Sequence, residues 1–275
     1  MREKSPVRVS DPSGPVRNIF TREFLALIRN ARAKALEELR PMLRLQQLDI
    51  GELIRLLEIL NIAYIDQPGR RLIQQYVLQA YRRGIDNTHQ TLVAQTRPQH
   101  RVVDIGLNFT RPDERAIANL SAVSLSDLKG FTGEMNKKII RDIVEADKKG
   151  AGITKFSEII QQHYNGIGAV RAEAIARTVS TQSYNEAAWS RTKDYAPFKE
   201  WLPTTGDHRT RPSHLAMKGV VIDVDEAFEV PAFMASKNTR VPACKMMYPA
   251  DSSLGAPAAQ IIQCRCALAP RFLKK

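Results

Sequence analysis

Prolines set the strongest constraint on what this chain can fold into. After Pro197 they recur at positions 203, 212, 231, 242, 249, 257 and 270. That spacing excludes long helices, because an interior proline lacks the amide donor and its ring strikes the preceding turn. Short β-like runs fit between them: FKEWL, GVVID, AFEVP and IIQCRCALA. Before Pro197 the apolar residues follow helical spacing instead. Phe24, Leu27, Ile28, Ala31, Ala35 and Leu39 line one face, and Leu53, Leu56, Leu57, Leu60 and Tyr64 line another. The expected fold is α+β, a mainly helical N-terminal and central body with a small β-containing C-terminal unit.

Punctuation residues give the expected boundaries. Residues 1–19, with Pro6, Pro12 and Pro15, read as a flexible arm. A helical N-terminal domain follows over 20–112, with a break or kink at Pro41 and a turn at Gln67-Pro68-Gly69. Residues 96–113 read as an irregular linker. A central helical region follows over 113–196, with Ser126 and Thr154 as helix N-caps and a stop at Asn165-Gly166. Its last helix, 168–194, is rich in small residues that permit close packing. Arg177, Thr178 and Asn185 are polar residues placed to hydrogen-bond within that interface. Residues 197–275 form the compact α+β C-terminal unit.

Lysine and arginine number 41 against 29 acidic residues, for a net charge of +12. Nucleic acid or an acidic protein surface is the natural partner of such a chain, although the charge is spread rather than concentrated in one tract. No apolar run approaches the roughly 20 residues that cross a bilayer, and the basic start lacks a secretory apolar core. Synthesis in a cytosol, without a membrane partner, is the expectation. Three cysteines, two of them only two positions apart, speak for reduced thiols rather than a disulfide framework.

Chemistry-bearing side chains gather between Trp201 and Pro270, in WLPTTGDHRTRPSHLAMKG and QCRCALAP. Three readings compete. Cys264 and Cys266 would share one face of a strand, and with His214 and a fourth ligand from Cys244, Asp207 or His208 they could bind zinc. C-x-C is narrower than the usual C-x2-C of zinc sites, and two buried thiols acting as small apolar side chains are the plain alternative. A hydrolytic set drawn from Asp207, His208, His214, Ser213 and Cys264 is conceivable, as is a metal-dependent nuclease using Asp207, His214 and Asp251. Neither HExxH nor a nucleophile elbow is present, so no catalytic residue is assigned. The favoured reading is a structural polar lock of Trp201, Asp207, Arg211, His214 and Arg265, in which forked guanidiniums and a bridging imidazole tie loops together.

The ordered combination AEAIARTVSTQSYNEAA, W-x5-D-x-R-T-R-x-x-H-x4-G, YPAD and CRC resembles the phage Mu F-like minor head protein family, also called the head morphogenesis family. The residues concerned are Ala174, Arg177, Thr178, Asn185, Trp201, Asp207, Arg211, His214, Gly219, Pro249, Asp251, Cys264, Arg265 and Cys266, and the similar stretch covers 171–270. Three positions depart from the family's usual pattern. Val179 stands for a glutamate, Gln263 for an asparagine, and Ala250 for the glycine of YPGD-like turns. The resemblance implies a non-enzymatic minor component of a tailed-phage virion, at the head interior or portal vertex after assembly in host cytoplasm. It implies contacts with portal protein, with major capsid or scaffolding protein and, nonspecifically, with genomic DNA during packaging or delivery. No cofactor is expected beyond a possible zinc ion. The competing classes are a metal-dependent DNA-processing enzyme and a helical nucleic-acid-binding module.

Overall fold

The computed structural model describes residues 11–44, 50–96, 109–151, 153–205 and 209–272. Long helices come first: α1 (Gly14–Arg44), α2 (Ile50–Asn61), α3 (Gln67–Thr96), α4 (Arg111–Lys148) and α5 (Ile153–Tyr195), with a π-helical turn at Ile62–Asp66. The C-terminal part follows as β1 (Phe198–Leu202), α6 (Pro212–Leu215), β2 (Val221–Asp223), β3 (Phe228–Val230), β4 (Phe233–Ser236), β5 (Thr239–Val241), β6 (Cys244–Met246), α7 (Ala258–Ile261) and β7 (Ala267–Arg271). The fold is α+β with a helical body. No helix among the described residues is long and apolar enough to cross a membrane.

The helices run longer than their punctuation implies. α1 begins at Gly14, inside the segment expected to be an arm, and passes through Pro41. Pro41 lies in its last turn, where it removes one i→i−4 bond and only three helical residues follow it. Ser126 does not start a helix, since it lies inside α4. The cap of α4 is Thr110, in a capping box. The Thr110 amide donates to Asp113 Oδ2 at 2.7 Å, and the Asp113 amide donates to Thr110 Oγ1 at 3.4 Å. The expected stop at Asn165-Gly166 is likewise inside α5, of which Thr154 is the second residue. Continuous buried stripes explain both cases. Leu128, Phe131, Met135, Ile139 and Ile143 carry the α4 stripe past Gly130 and Gly133. Their packing outweighs a glycine penalty of about 1 kcal/mol each.

Two compact units interleave along the chain rather than follow one another. One comprises Asn18–Gln75 and Ser121–Ala176, the other Met1–Arg17, Tyr76–Leu120 and Arg177–Lys275. The first is helical throughout its elements among the described residues. Its buried residues include Phe20, Phe24 and Ile28 of α1, Leu53 and Leu57 of α2, Met135 and Ile139 of α4, and Phe156 and Ile160 of α5. Gly69 lies where a side chain's Cβ would meet Leu128 Cδ2 at 2.5 Å, so it marks close packing there rather than a turn. His163 pairs through Nε2 with Asp142 at 2.7 Å.

The second unit packs part of α3, the start of α4 and the end of α5 with the C-terminal strands. At Gly84 a Cβ would stand 2.4 Å from the Tyr184 carbonyl oxygen and 2.8 Å from Ala187 Cβ, so the small residues of α5 do permit a close helix crossing. Buried Asp113 accepts from Tyr81 Oη at 2.7 Å and pairs with Arg191 at 2.7 Å. The main sheet is antiparallel in the order β2-β1-β7, with Lys199 opposite Pro270 and Trp201 opposite Leu268. Two-stranded ribbons β3–β6 and β4–β5 complete the unit.

Candidate functional site

From Thr178 to Trp189, α5 presents one stripe of hydrogen-bonding side chains at positions 178, 181, 182, 185 and 189, the i, i+3, i+4, i+7 spacing of a single helix face. Each meets backbone of the C-terminal part. Thr178 Oγ1 accepts from the Gln263 amide at 3.1 Å. Thr181 Oγ1 donates to the Cys264 carbonyl at 3.1 Å, and Gln182 Nε2 to the Ala250 carbonyl at 3.1 Å. Asn185 Nδ2 donates to the carbonyls of Pro249 and Cys266, both at 3.0 Å, and its Oδ1 accepts from the Leu268 amide at 2.9 Å. Trp189 Nε1 donates to the Val224 carbonyl at 3.2 Å. The first four are buried, where an unmet carbonyl or amide is expensive.

This stripe explains why Cys264 and Cys266 are not in a strand, as the apolar run IIQCRCALA leads one to expect. The segment after α7 turns at Gln263, whose φ is 59°, and β7 begins only at Ala267. Gln263, Cys264 and Cys266 give backbone groups to α5 rather than to a sheet ladder. A second turn, at YPAD, is fixed the same way. Ala250 sits at φ 68°, and Asp251 accepts from the amides of Met247 at 2.8 Å and Ser253 at 2.7 Å.

Beneath the stripe lies a buried cluster. His214 Nδ1 is 3.4 Å from Cys266 Sγ and 3.6 Å from Cys264 Sγ. The three residues are 1–2 % exposed. Trp201 stacks edge-on against the imidazole at 5.3 Å and against Phe228 at 5.3 Å. Burial pushes both thiols up, but at Cys264 hydrogen bonding with Cys266 and the neighbouring imidazole override it, holding that thiol well below its ordinary value. Burial and the adjacent Cys264 hold Cys266 well above.

Arg211 donates to the Ile262 carbonyl and lies within electrostatic reach of both thiols. The carbonyl of Arg265 accepts from Thr204 Oγ1. Trp201, Arg211, His214, Arg265, Cys264 and Cys266 thus fall in one region of the fold. Asp207 and His208 lie outside the described residues. Cys244, in β6, is not part of the cluster; among the described residues His214, Cys264 and Cys266 alone form a group of metal-ligating atoms. Ser213, considered as a nucleophile, bonds instead to Gln260 Oε1 at 3.0 Å.

Sequence reasoning overlooked Thr181, Gln182 and Gln260. The signal for the first two was available, since they continue the spacing of Thr178 and Asn185. Gln260, fully buried, donates to the Pro231 carbonyl at 3.1 Å, and only the tertiary fold reveals it. Lys199 is buried too. Its Nζ has no hydrogen-bond partner among the described residues and lies 5.8 Å from the Trp189 ring centroid and 5.3 Å from that of Phe228.

The model of one protein family, described as Phage Mu protein F like protein, matches residues 137–269. The match begins within α4 and ends within β7, so it takes in the polar stripe, both turns and the cluster. No curated protein and no solved structure matches the chain.

Proposed function

We propose, for a chain whose residues 137–269 belong to the family of phage Mu protein F like proteins, that it is a structural minor head protein of a tailed phage. The family indicates a part in phage head morphogenesis. The observation that carries the structural reading is the use made of the polar groups in the matched region. Thr178, Thr181, Gln182, Asn185 and Gln260 are buried and bonded to backbone, so they hold the fold rather than face a substrate.

The portal protein is the proposed partner, with major capsid or scaffolding protein as further contacts in the head. Packaged DNA is the proposed polyanion. A net charge of +12 favours nonspecific phosphate contacts by lysine and arginine, and an aid to packaging or delivery. On this reading the chain resides at the head interior or portal vertex.

Co-expression with the portal protein of the same phage tests the reading. A complex that survives size exclusion at moderate salt is the expected result. Failure to associate across a range of salts would count against it. So would divalent-dependent cleavage of DNA that His214→Ala abolishes with the fold intact, which would move the chain to the DNA-processing enzymes.

A further inference from the structure

The buried cluster has a geometry that its role as packing does not require. In a tetrahedral zinc site with Zn–S near 2.3 Å and Zn–N near 2.05 Å, each S···N edge is about 3.6 Å. His214 Nδ1 stands 3.4 Å and 3.6 Å from the two sulfurs, and the three ligating atoms all lie within 4.8 Å of one another. Both S···N distances therefore match edges of such a tetrahedron.

We propose that His214 Nδ1, Cys264 Sγ and Cys266 Sγ bind one zinc ion, which fastens α6 to the turn before β7. Two thiolates and an imidazole are a soft donor set of the kind zinc takes, and hard oxygen-seeking cations are not. A pair of thiolates at 1–2 % exposure is costly without a compensating cation, and a divalent ion neutralises both.

The surroundings hold the donors in place before metal arrives. The Trp201 edge sets the imidazole plane. Thr181 fixes the Cys264 carbonyl and Asn185 the Cys266 carbonyl, at 3.1 Å and 3.0 Å. The left-handed turn at Gln263 immediately precedes the C-x-C pair and redirects that segment as a unit. Among the described residues no further His, Cys, Asp or Glu joins the group, and a structural zinc site is completed by a fourth ligand. The ion is structural, because its ligands are closed off from solvent.

The test uses the full chain purified without chelator or metal-affinity resin. Elemental analysis is expected to find zinc close to equimolar with protein, with Cys264 and Cys266 protected from thiol reagent and Cys244 reactive. Cys264→Ser and Cys266→Ser should each lower zinc at least tenfold, and Cys244→Ser should leave it unchanged. As a readout independent of the variants' folding, the wild-type chain stripped of metal is also titrated with Co²⁺, where a thiolate-to-cobalt charge-transfer band and tetrahedral d–d bands are expected. A stripped chain that takes up neither Zn²⁺ nor Co²⁺, a Cys264–Cys266 disulfide in freshly purified protein, or full zinc content in Cys266→Ser overturns the proposal. None of these outcomes bears on portal association.

Discussion

Asn185 Nδ2 donates to the Cys266 carbonyl at 3.0 Å, joining residues 81 positions apart in the chain. The same side chain holds the Pro249 carbonyl and the Leu268 amide. One asparagine thus ties α5, the YPAD turn and the first residues of β7 together. Asn185→Leu removes these bonds and leaves three backbone groups buried. A loss of about 3 kcal/mol is expected, at roughly 1 kcal/mol or more for each unmet group. Thr181→Val removes one bond and should lose about 1 kcal/mol. Urea denaturation of both variants, followed by tryptophan fluorescence, measures the difference. Equal effects would mean that the stripe is not read residue by residue.

Gln263 has φ 59°, and its side chain is exposed. A non-glycine residue in that region is strained by about 1–2 kcal/mol. Gln263→Gly relieves the strain at some entropic cost in the unfolded state, for a net gain of about 0.5–1 kcal/mol. Gln263→Asn gains less, and Gln263→Val loses about 1 kcal/mol or more. The order Gly, Asn, Gln, Val in denaturation midpoint is the readout. A glycine variant weaker than wild type would show that the side chain, not the backbone, matters here.

Glycines of opposite kind separate packing from propensity. A Cβ at Gly130 or Gly133 meets nothing within 4 Å, whereas one at Gly84 stands 2.4 Å from the Tyr184 carbonyl oxygen. Gly130→Ala and Gly133→Ala should each stabilise by about 0.5–1 kcal/mol. Gly84→Ala should destabilise by about 2–3 kcal/mol, since backbone cannot yield cheaply. Thermal melts of the three variants decide this, and a neutral Gly84→Ala would contradict the close crossing.

Lys199 predicts a pH dependence. Burial lowers its pKa to about 8, against the opposing pull of Asp225, Asp251 and Glu226, while an unfolded lysine titrates near about 10.4. Below about 8 the lysine is charged in both states, and its burial is a constant penalty. Between the two values the unfolded chain binds more protons, so stability rises with pH. Above both, the penalty is gone. Lys199→Met should exceed wild type by on the order of 2–3 kcal/mol at pH 7, with the gap closing toward pH 10.5. A gap that does not change with pH would assign the effect to packing instead.

Much of this fold is legible from residue spacing. The helical body, the change of texture after Pro197 and the strand FKEWL follow from apolar period and proline placement, and β1 occupies the residues of that run. Helix boundaries were harder, because Pro41, Ser126 and Asn165-Gly166 are local signals overruled by buried stripes such as Leu128 to Ile143. The Thr110 and Asp113 cap was present in T-R-P-D but stood inside what read as linker. At the site, residue types pointed to His214, Cys264 and Cys266. Their approach depends on a positive φ at Gln263 and on backbone bonds to α5, which residue types do not disclose.

The role in head assembly is the central claim, and the phage or prophage that encodes the chain tests it most directly. Its gene is deleted, and particles from induced cells are purified and counted by electron microscopy with and without the chain supplied in trans. The account predicts that wild-type virions contain the chain by mass spectrometry, and that its loss leaves misassembled or DNA-poor heads restored by complementation. Infectious, normally filled heads formed without it, together with its absence from wild-type virions, would contradict the account.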